Sequence, residues 1–103
     1  MAEENFGAFP THPGEILKDE IEYRKISQRK LAAEIGMSYT ALNEILNAKR
    51  SVTTTSAYLF EAAIGIPAAT LLKLQMRYDM QTAQSDRGFM DRLASIRKIA
   101  AVL

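Results

Sequence analysis

The sequence predicts an all-α fold: five short helices followed by a C-terminal amphipathic helix. Apolar residues recur three and four apart along most of the chain, and each run begins beside a residue suited to start a helix. No stretch reads convincingly as a β-strand. Pro13 suits the first helical position, and Glu15 lies in the first turn near the positive end of the helix dipole. This first helix should reach about Arg24, with Ile16, Leu17 and Ile21 inward. Ser27 is a good N-cap for a second helix and Ser38 for a third. Residues 47–53 form a loop. Thr53 or Thr54 then caps a fourth helix running through Ile64, with Ala57, Phe60, Ala63 and Ile64 inward. Gly65 stops it, and Pro67 helps start a fifth helix that carries Leu71, Leu74, Gln75 and Tyr78. After a polar gap (Gln81, Thr82, Gln84, Ser85) comes the sixth. There Phe89, Leu93, Ile96, Ala100 and Leu103 form one apolar stripe, with Asp86 near the start and Arg97 and Lys98 nearer the end.

Residues 28–47, QRKLAAEIGMSYTALNEILN, carry the most information. They read as two short helices joined by a sharp turn. Within this window Ala32 is fifth, Gly36 ninth, Leu42 fifteenth and Ile45 eighteenth, the spacing that a DNA-reading helix-turn-helix needs. Ala32 is small, so the second helix can cross close over the first. Gly36 can take positive φ where the chain reverses. Leu31 and Ile35 share one face, as do Leu42, Ile45 and Leu46, which leaves the opposite faces polar.

Charge supports this reading. The net charge is only +1, but it is unevenly spread. Residues 1–22 carry six acidic groups against Lys18, a balance of −5. Residues 23–50 carry six basic groups against Glu34 and Glu44, a balance of +4, on the segment where phosphates would lie.

A recognition helix presents its N-terminal residues and outward face to base edges. Here those are Tyr39, Thr40, Asn43, Glu44 and Asn47. Asparagine can pair bidentately with adenine, and Thr40 or Tyr39 can meet a thymine methyl. Glu44 could accept from a cytosine amino group, but a carboxylate near phosphates is costly, and the rim is its expected place. Gln28, Arg29, Ser38, Lys49 and Arg50 are the candidates for phosphate contact. The plain alternatives are that Tyr39 packs on the second helix, that Asn43 is a surface residue, that Asn47 only caps, and that Lys49 and Arg50 are a solvated basic pair. His12 reads as a helix-start residue, and Met37, Met76, Met80 and Met90 as fillers of the core or of an interface.

A chain of 103 residues without cysteine leaves no scope for disulfides or thiolate metal sites, and its single histidine leaves little for zinc or for histidine-based catalysis. There is no nucleophile–base set. No metal, cofactor or enzymatic activity is expected. No apolar run approaches a membrane span, and residues 1–9 lack the features of a signal peptide. The expected location is the cytoplasm. Residues 1–11 are expected to form a flexible arm, residues 12–82 the DNA-binding domain, and residues 83–103 a C-terminal helix available for dimerisation.

The segments HPGEIL (residues 12–17), SQRKLAAEIGMS, ILNAKRSVT and LKLQMRYDM (residues 72–80) resemble the HigA-type antitoxins, within the phage-repressor (XRE, Cro-like) helix-turn-helix group. The resemblance covers roughly residues 10–82. It implies a five-helix phage-repressor-like domain, a homodimer, an inverted-repeat operator on double-stranded DNA in its own promoter, and a small basic toxin partner that cleaves mRNA. It implies base contacts from Tyr39, Thr40 and Asn43, and phosphate contacts from Gln28, Ser38, Lys49 and Arg50. The expected function is therefore a sequence-specific repressor acting as antitoxin of a type II toxin–antitoxin pair. Alternatives are a regulator of the same family without a toxin, and a protein-interaction domain that reuses the fold. The acidic residues Asp19, Glu20 and Glu22 are candidates for toxin binding, and Phe89, Leu93, Ile96, Ala100 and Leu103 for dimerisation. Two departures stand out. Ala48 replaces the glycine of the more usual ILNGKR, and Leu71 or Leu72 replaces an aromatic. If position 48 needs positive φ, alanine there costs about 1–2 kcal/mol, unless Asn47 takes that conformation instead.

Overall fold

The computed structural model describes residues 11–103. The expected arm thus lies, but for Thr11, outside the described residues. Six helices follow one another: α1 (Pro13–Tyr23), α2 (Gln28–Ile35), α3 (Tyr39–Leu46), α4 (Thr54–Ile64), α5 (Ala68–Gln84) and α6 (Arg87–Ala100). Among the described residues there is no strand, and no helix is long and apolar enough to cross a membrane. The chain divides into two compact units, Thr11–Met76 and a second that takes in Arg77–Leu103.

In the first unit the starts of α1 to α4 each have a local cause. The buried His12 is the N-cap of α1, its Nδ1 accepting from the Gly14 N–H at 2.9 Å. The Glu15 carboxylate accepts in return from the His12 N–H, closing a capping box. HPGE is therefore a helix-start device, with Pro13 at the first helical position. Ser27 caps α2, Ser38 caps α3, and Thr53 caps α4 in a second box with Ser56. Gly36 and Gly65 end α2 and α4 in the left-handed region, at φ 72° and 90°.

The core gathers Leu17 and Ile21 from α1, Leu31 and Ala32 from α2, and Leu42, Ile45 and Leu46 from α3. Val52, Ala57, Phe60, Ile64, Ala68 and Leu71 complete it. α3 packs against α1 and α2, and α2 against α4. At Gly14 the approach of α1 to α3 is so close that a Cβ would collide with the Ile45 carbonyl oxygen. Gln75 is buried, and its Oε1 accepts the Val52 N–H at 2.8 Å, tying α5 to the loop that follows α3. The glutamine of LKLQ thus satisfies a buried backbone donor.

Several expected placements differ. Ile16 is exposed, because Leu17 and Ile21 define the inner stripe and Ile16 lies about 100° away around the helix. Ala63 is also exposed, lining a groove between α2 and α4 with Leu59 and Ala62. Gln81, Thr82 and Gln84 are not a gap but the last turn of α5, because glutamine is a good helix former and polar side chains do not by themselves break a helix. Met37 packs against the core, whereas Met76 and Met80 face solvent.

In the second unit α5 runs on past residue 82 to Gln84, and Asp86 caps α6 by accepting from the Phe89 N–H at 3.0 Å. Arg97 and Lys98 lie in the last turn of α6, and no residue of this helix is buried.

Ala48 takes φ 61°, while Asn47 stays at φ −104°. Alanine therefore sits in the left-handed conformation that glycine adopts at lower cost. Ala48→Gly should raise the unfolding free energy by up to about 1 kcal/mol, and Gly14→Ala should lower it by about 1–3 kcal/mol. Urea unfolding would show both as shifts of midpoint at constant slope. A Gly14→Ala variant as stable as its parent would mean that α1 can retreat from α3 at no cost.

Candidate nucleic-acid interface

The turn between α2 and α3 is closed by backbone bonds. The Gly36 N–H reaches the Ala32 and Ala33 carbonyls, and the Met37 N–H reaches that of Ala32 at 2.9 Å. Ala32 is buried at the crossing. With Leu42, Ile45 and Leu46 committed to the core, the remaining faces of α3 turn outward. Ser38, Tyr39 and Thr40 are all exposed at its N-terminus. The Ser38 Oγ accepts from the Ala41 N–H at 3.0 Å, which leaves its O–H to donate elsewhere. Backbone N–H groups and the helix dipole make this end attractive to anions.

The sequence-predicted contacts fall into two groups. At one end, α2 meets the start of α3. The Arg29 guanidinium lies 4.4 Å from the centre of the Tyr39 ring, a cation–π stack that holds both side chains at the surface. The Asn43 Nδ2 donates to the Gln28 Oε1 at 3.3 Å, which orients the two amides against each other. Asn43 is therefore half-buried and held, and Gln28 is its neighbour as well as a candidate phosphate contact.

At the other end, Asn47 caps α3 with its side chain. Its Nδ2 donates to the Asn43 carbonyl at 2.8 Å, and its Oδ1 accepts from the Lys18 Nζ at 3.1 Å. Its expected alternative role, capping, is the one it fills. Lys49 is exposed, and its N–H bonds the Glu44 carbonyl at 2.8 Å. The Arg50 guanidinium is bound through Nε at 2.9 Å and Nη2 at 2.6 Å to one oxygen of Glu44. An exposed pair of this kind contributes little to stability, about 0–1 kcal/mol.

The acidic candidates lie on α1. Asp19 and Glu22 are exposed, and Glu20 pairs with Arg24 at 2.7 Å. Asp19 also borders a shallow cleft with Asn47 and Ala48, so it stands beside the C-terminal end of α3 rather than apart from it. Of the dimerisation candidates, Phe89, Leu93, Ile96 and Ala100 lie on α6 and Leu103 lies beyond its end, and all but Leu93 are exposed. Phe89 is 44% exposed, Ile96 48% and Leu103 98%, and Leu93 is half-buried. Sequence reasoning did not find the Lys18–Asn47 and Gln28–Asn43 bonds. Both join residues far apart in the chain, and neither has a local signature.

Comparison with known proteins accords with this geometry. Residues 17–71 match the helix-turn-helix family model. An addiction-module antidote protein of the HigA family from Coxiella burnetii superposes with a TM-score of 0.71 at 33% identity, over 79% of this chain and 89% of that one. The chain belongs to the helix-turn-helix family and, within it, to the HigA-type antitoxins. The Pseudomonas aeruginosa antitoxin HigA, solved with the higBA promoter, is 31% identical over 78% of this chain and 88% of its own, with a TM-score of 0.72. Virulence-associated protein I of Dichelobacter nodosus is 32% identical over 77 residues, 74% of this chain and 71% of that protein. The part matched by the helix-turn-helix family lies wholly within the unit Thr11–Met76, which also holds all the candidate DNA contacts.

Proposed function

We propose that this HigA-type chain represses its own operon by binding an operator and neutralises a toxin encoded beside it. The observation that carries the reading is the exposed start of α3. There Tyr39, Thr40 and Asn43 stand on one outward face, flanked by Arg29 at one end and by Lys49 at the other. The promoter-bound Pseudomonas relative and the Coxiella antidote protein support it. The protein is a binding protein rather than an enzyme, and it works in the cytoplasm on double-stranded DNA. Gel-shift on the gene's own upstream DNA tests the repressor part. Co-expression with the neighbouring gene, followed by copurification, tests the antitoxin part. Failure to bind or neutralise any neighbouring product would favour a repressor without a toxin.

Two substitutions separate specificity from charge. Asn43→Ala should cost about 1–3 kcal/mol on the operator and much less on random DNA. Lys49→Ala should weaken binding similarly on all sequences and flatten the slope of log K against log salt by about one unit. Equal losses on both DNAs for Asn43→Ala would reduce it to a support for the fold.

The protein acts as a homodimer on an inverted repeat whose half-sites lie about one helical turn, or a multiple of it, apart. The exposed apolar residues of α6, Phe89, Ile96 and Ile99, support this, since exposed apolar surface on one helix suits a contact surface. Sedimentation of a chain ending at Gln84 should show a weakened dimer. An undiminished dimer would place the interface elsewhere.

The toxin is small and basic, and the −5 balance of residues 1–22 steers it to the N-terminal helix. Replacing Asp19, Glu20 and Glu22 by lysine should slow complex formation while operator binding survives. Rescue of growth at an unchanged association rate would discard this surface and keep the antitoxin.

A further inference from the structure

Glu44 is the one acidic side chain on the outward polar face of α3, one turn beyond Thr40 and beside Asn43. Left alone, a carboxylate there would be repelled by the phosphates on both sides of a groove. It is not alone. Arg50 reaches back from the loop after α3 and places both Nε and Nη2 on the same oxygen, Oε1. The pair is neutral as a unit. The second oxygen, Oε2, makes no hydrogen bond among the described residues, and the side chain is 38% exposed. The result is an acceptor oriented and charge-balanced by its partner, with free lone pairs on Oε2.

We infer that Glu44 reads a cytosine amino group in each operator half-site, with Arg50 as the positioning residue that holds and neutralises it. The inference rests on the operator-binding function proposed above. Four base pairs present themselves in the major groove, and only the donors among their edge groups suit a carboxylate. Guanine N7 and O6 and thymine O4 are acceptors and repel it. Adenine offers an amino group, but its N7 acceptor lies alongside. Cytosine N4 is a donor with no acceptor beside it at that edge. On this inference Arg50 acts through Glu44, in place of the phosphate contact that its position after the recognition helix and the family resemblance both suggest. Its guanidinium is bound across the end of α3 to a side chain on the reading face, so it serves the base contact through Glu44.

Selection from a pool of randomised duplex DNA tests this, with wild type, Glu44→Gln, Glu44→Ala, Arg50→Gln and the Glu44→Gln/Arg50→Gln double variant. Circular dichroism confirms that each variant is folded. Wild type should show one position per half-site where cytosine is favoured about ten- to hundredfold over guanine or thymine. Glu44→Ala should erase that preference and leave the other positions unchanged. Glu44→Gln should move it to adenine, because a carboxamide can both donate to N7 and accept from N6. Arg50→Gln should weaken the same position in the wild-type background and change little when Glu44 is already glutamine. That non-additivity is the signature of a residue acting through another. A cytosine preference that persists in Glu44→Ala overturns the inference, as does an Arg50→Gln loss of equal size in both backgrounds, which would return Arg50 to the phosphates. Recovery of no consensus by wild type would overturn the operator-binding function itself, and with it this assignment.

Discussion

At Gly14 the backbone of α1 meets the Ile45 carbonyl of α3 with no room for a side chain. On the other side, the buried Ala32 lets α2 cross close beneath the same helix. α3 is thus held by one direct backbone approach, at Gly14, and by the Leu17, Ile21 and Leu31 side chains that share its core. Interiors packed this tightly do not deform continuously. A turn of α3 by one residue position, about 100°, would expose Leu42 or Ile45 and bury a polar group. The orientation of Tyr39, Thr40 and Asn43 therefore follows from contacts made on the far side of the helix.

The two ends of α3 are treated oppositely. Its N-terminus is capped by Ser38 alone, with three hydroxyl-bearing residues in a row at the surface and the positive end of the dipole open. Its C-terminus is closed. Asn47 satisfies the Asn43 carbonyl, Lys18 holds Asn47, and Arg50 folds back onto Glu44. The anion-attracting end stays available and the anion-repelling end is neutralised, which suits a helix that must enter a phosphate-lined groove end-on. The side chains at both ends are already held by partners in the free protein. Less rotamer freedom is then lost on binding, and more of the contact energy remains as affinity.

What the sequence made legible was local. Ser27, Ser38, Gly36 and Gly65 act within a few residues of their own positions, so their roles followed from type and spacing. The strain at position 48 was legible for the same reason, since Ala48 stands where a left-handed residue is needed. The role of Gly14 was not, because it depends on a helix some thirty residues further along the chain. Gln75 was legible only as a residue of the fifth helix; its burial and its partner, the Val52 N–H, came with the structure. At the site, the residues expected on the outward face of α3 lie there, with Asn43 and Glu44 half-buried, yet their partners were not legible. The Gln28–Asn43 and Glu44–Arg50 pairs turn separate candidates into coupled ones. The end of α5 was not legible, because a run of polar residues without Gly or Pro does not by itself end a helix.

α6 poses a different physical problem. It has a good cap in Asp86 and basic residues at its far end, but no residue of it is buried. Helices of about 12–15 residues are marginal by themselves in water, since propagation barely offsets the cost of nucleation. α6 has 14 residues, so its own propensity and caps leave little margin. Its apolar stripe is the remaining source of stabilisation; Leu93 is already half-buried, but Phe89 and Ile96 gain fully only when something covers them. In the proposed dimer, folding of this segment and association become one linked equilibrium, in which each raises the other by mass action. The helix-turn-helix unit needs no such help, because Phe60, Leu17 and Leu42 are fully enclosed within it. The chain therefore joins a reading head with its own enclosed core to a helix with no buried residue, so association through that helix would let operator affinity follow protein concentration without any change in the head itself.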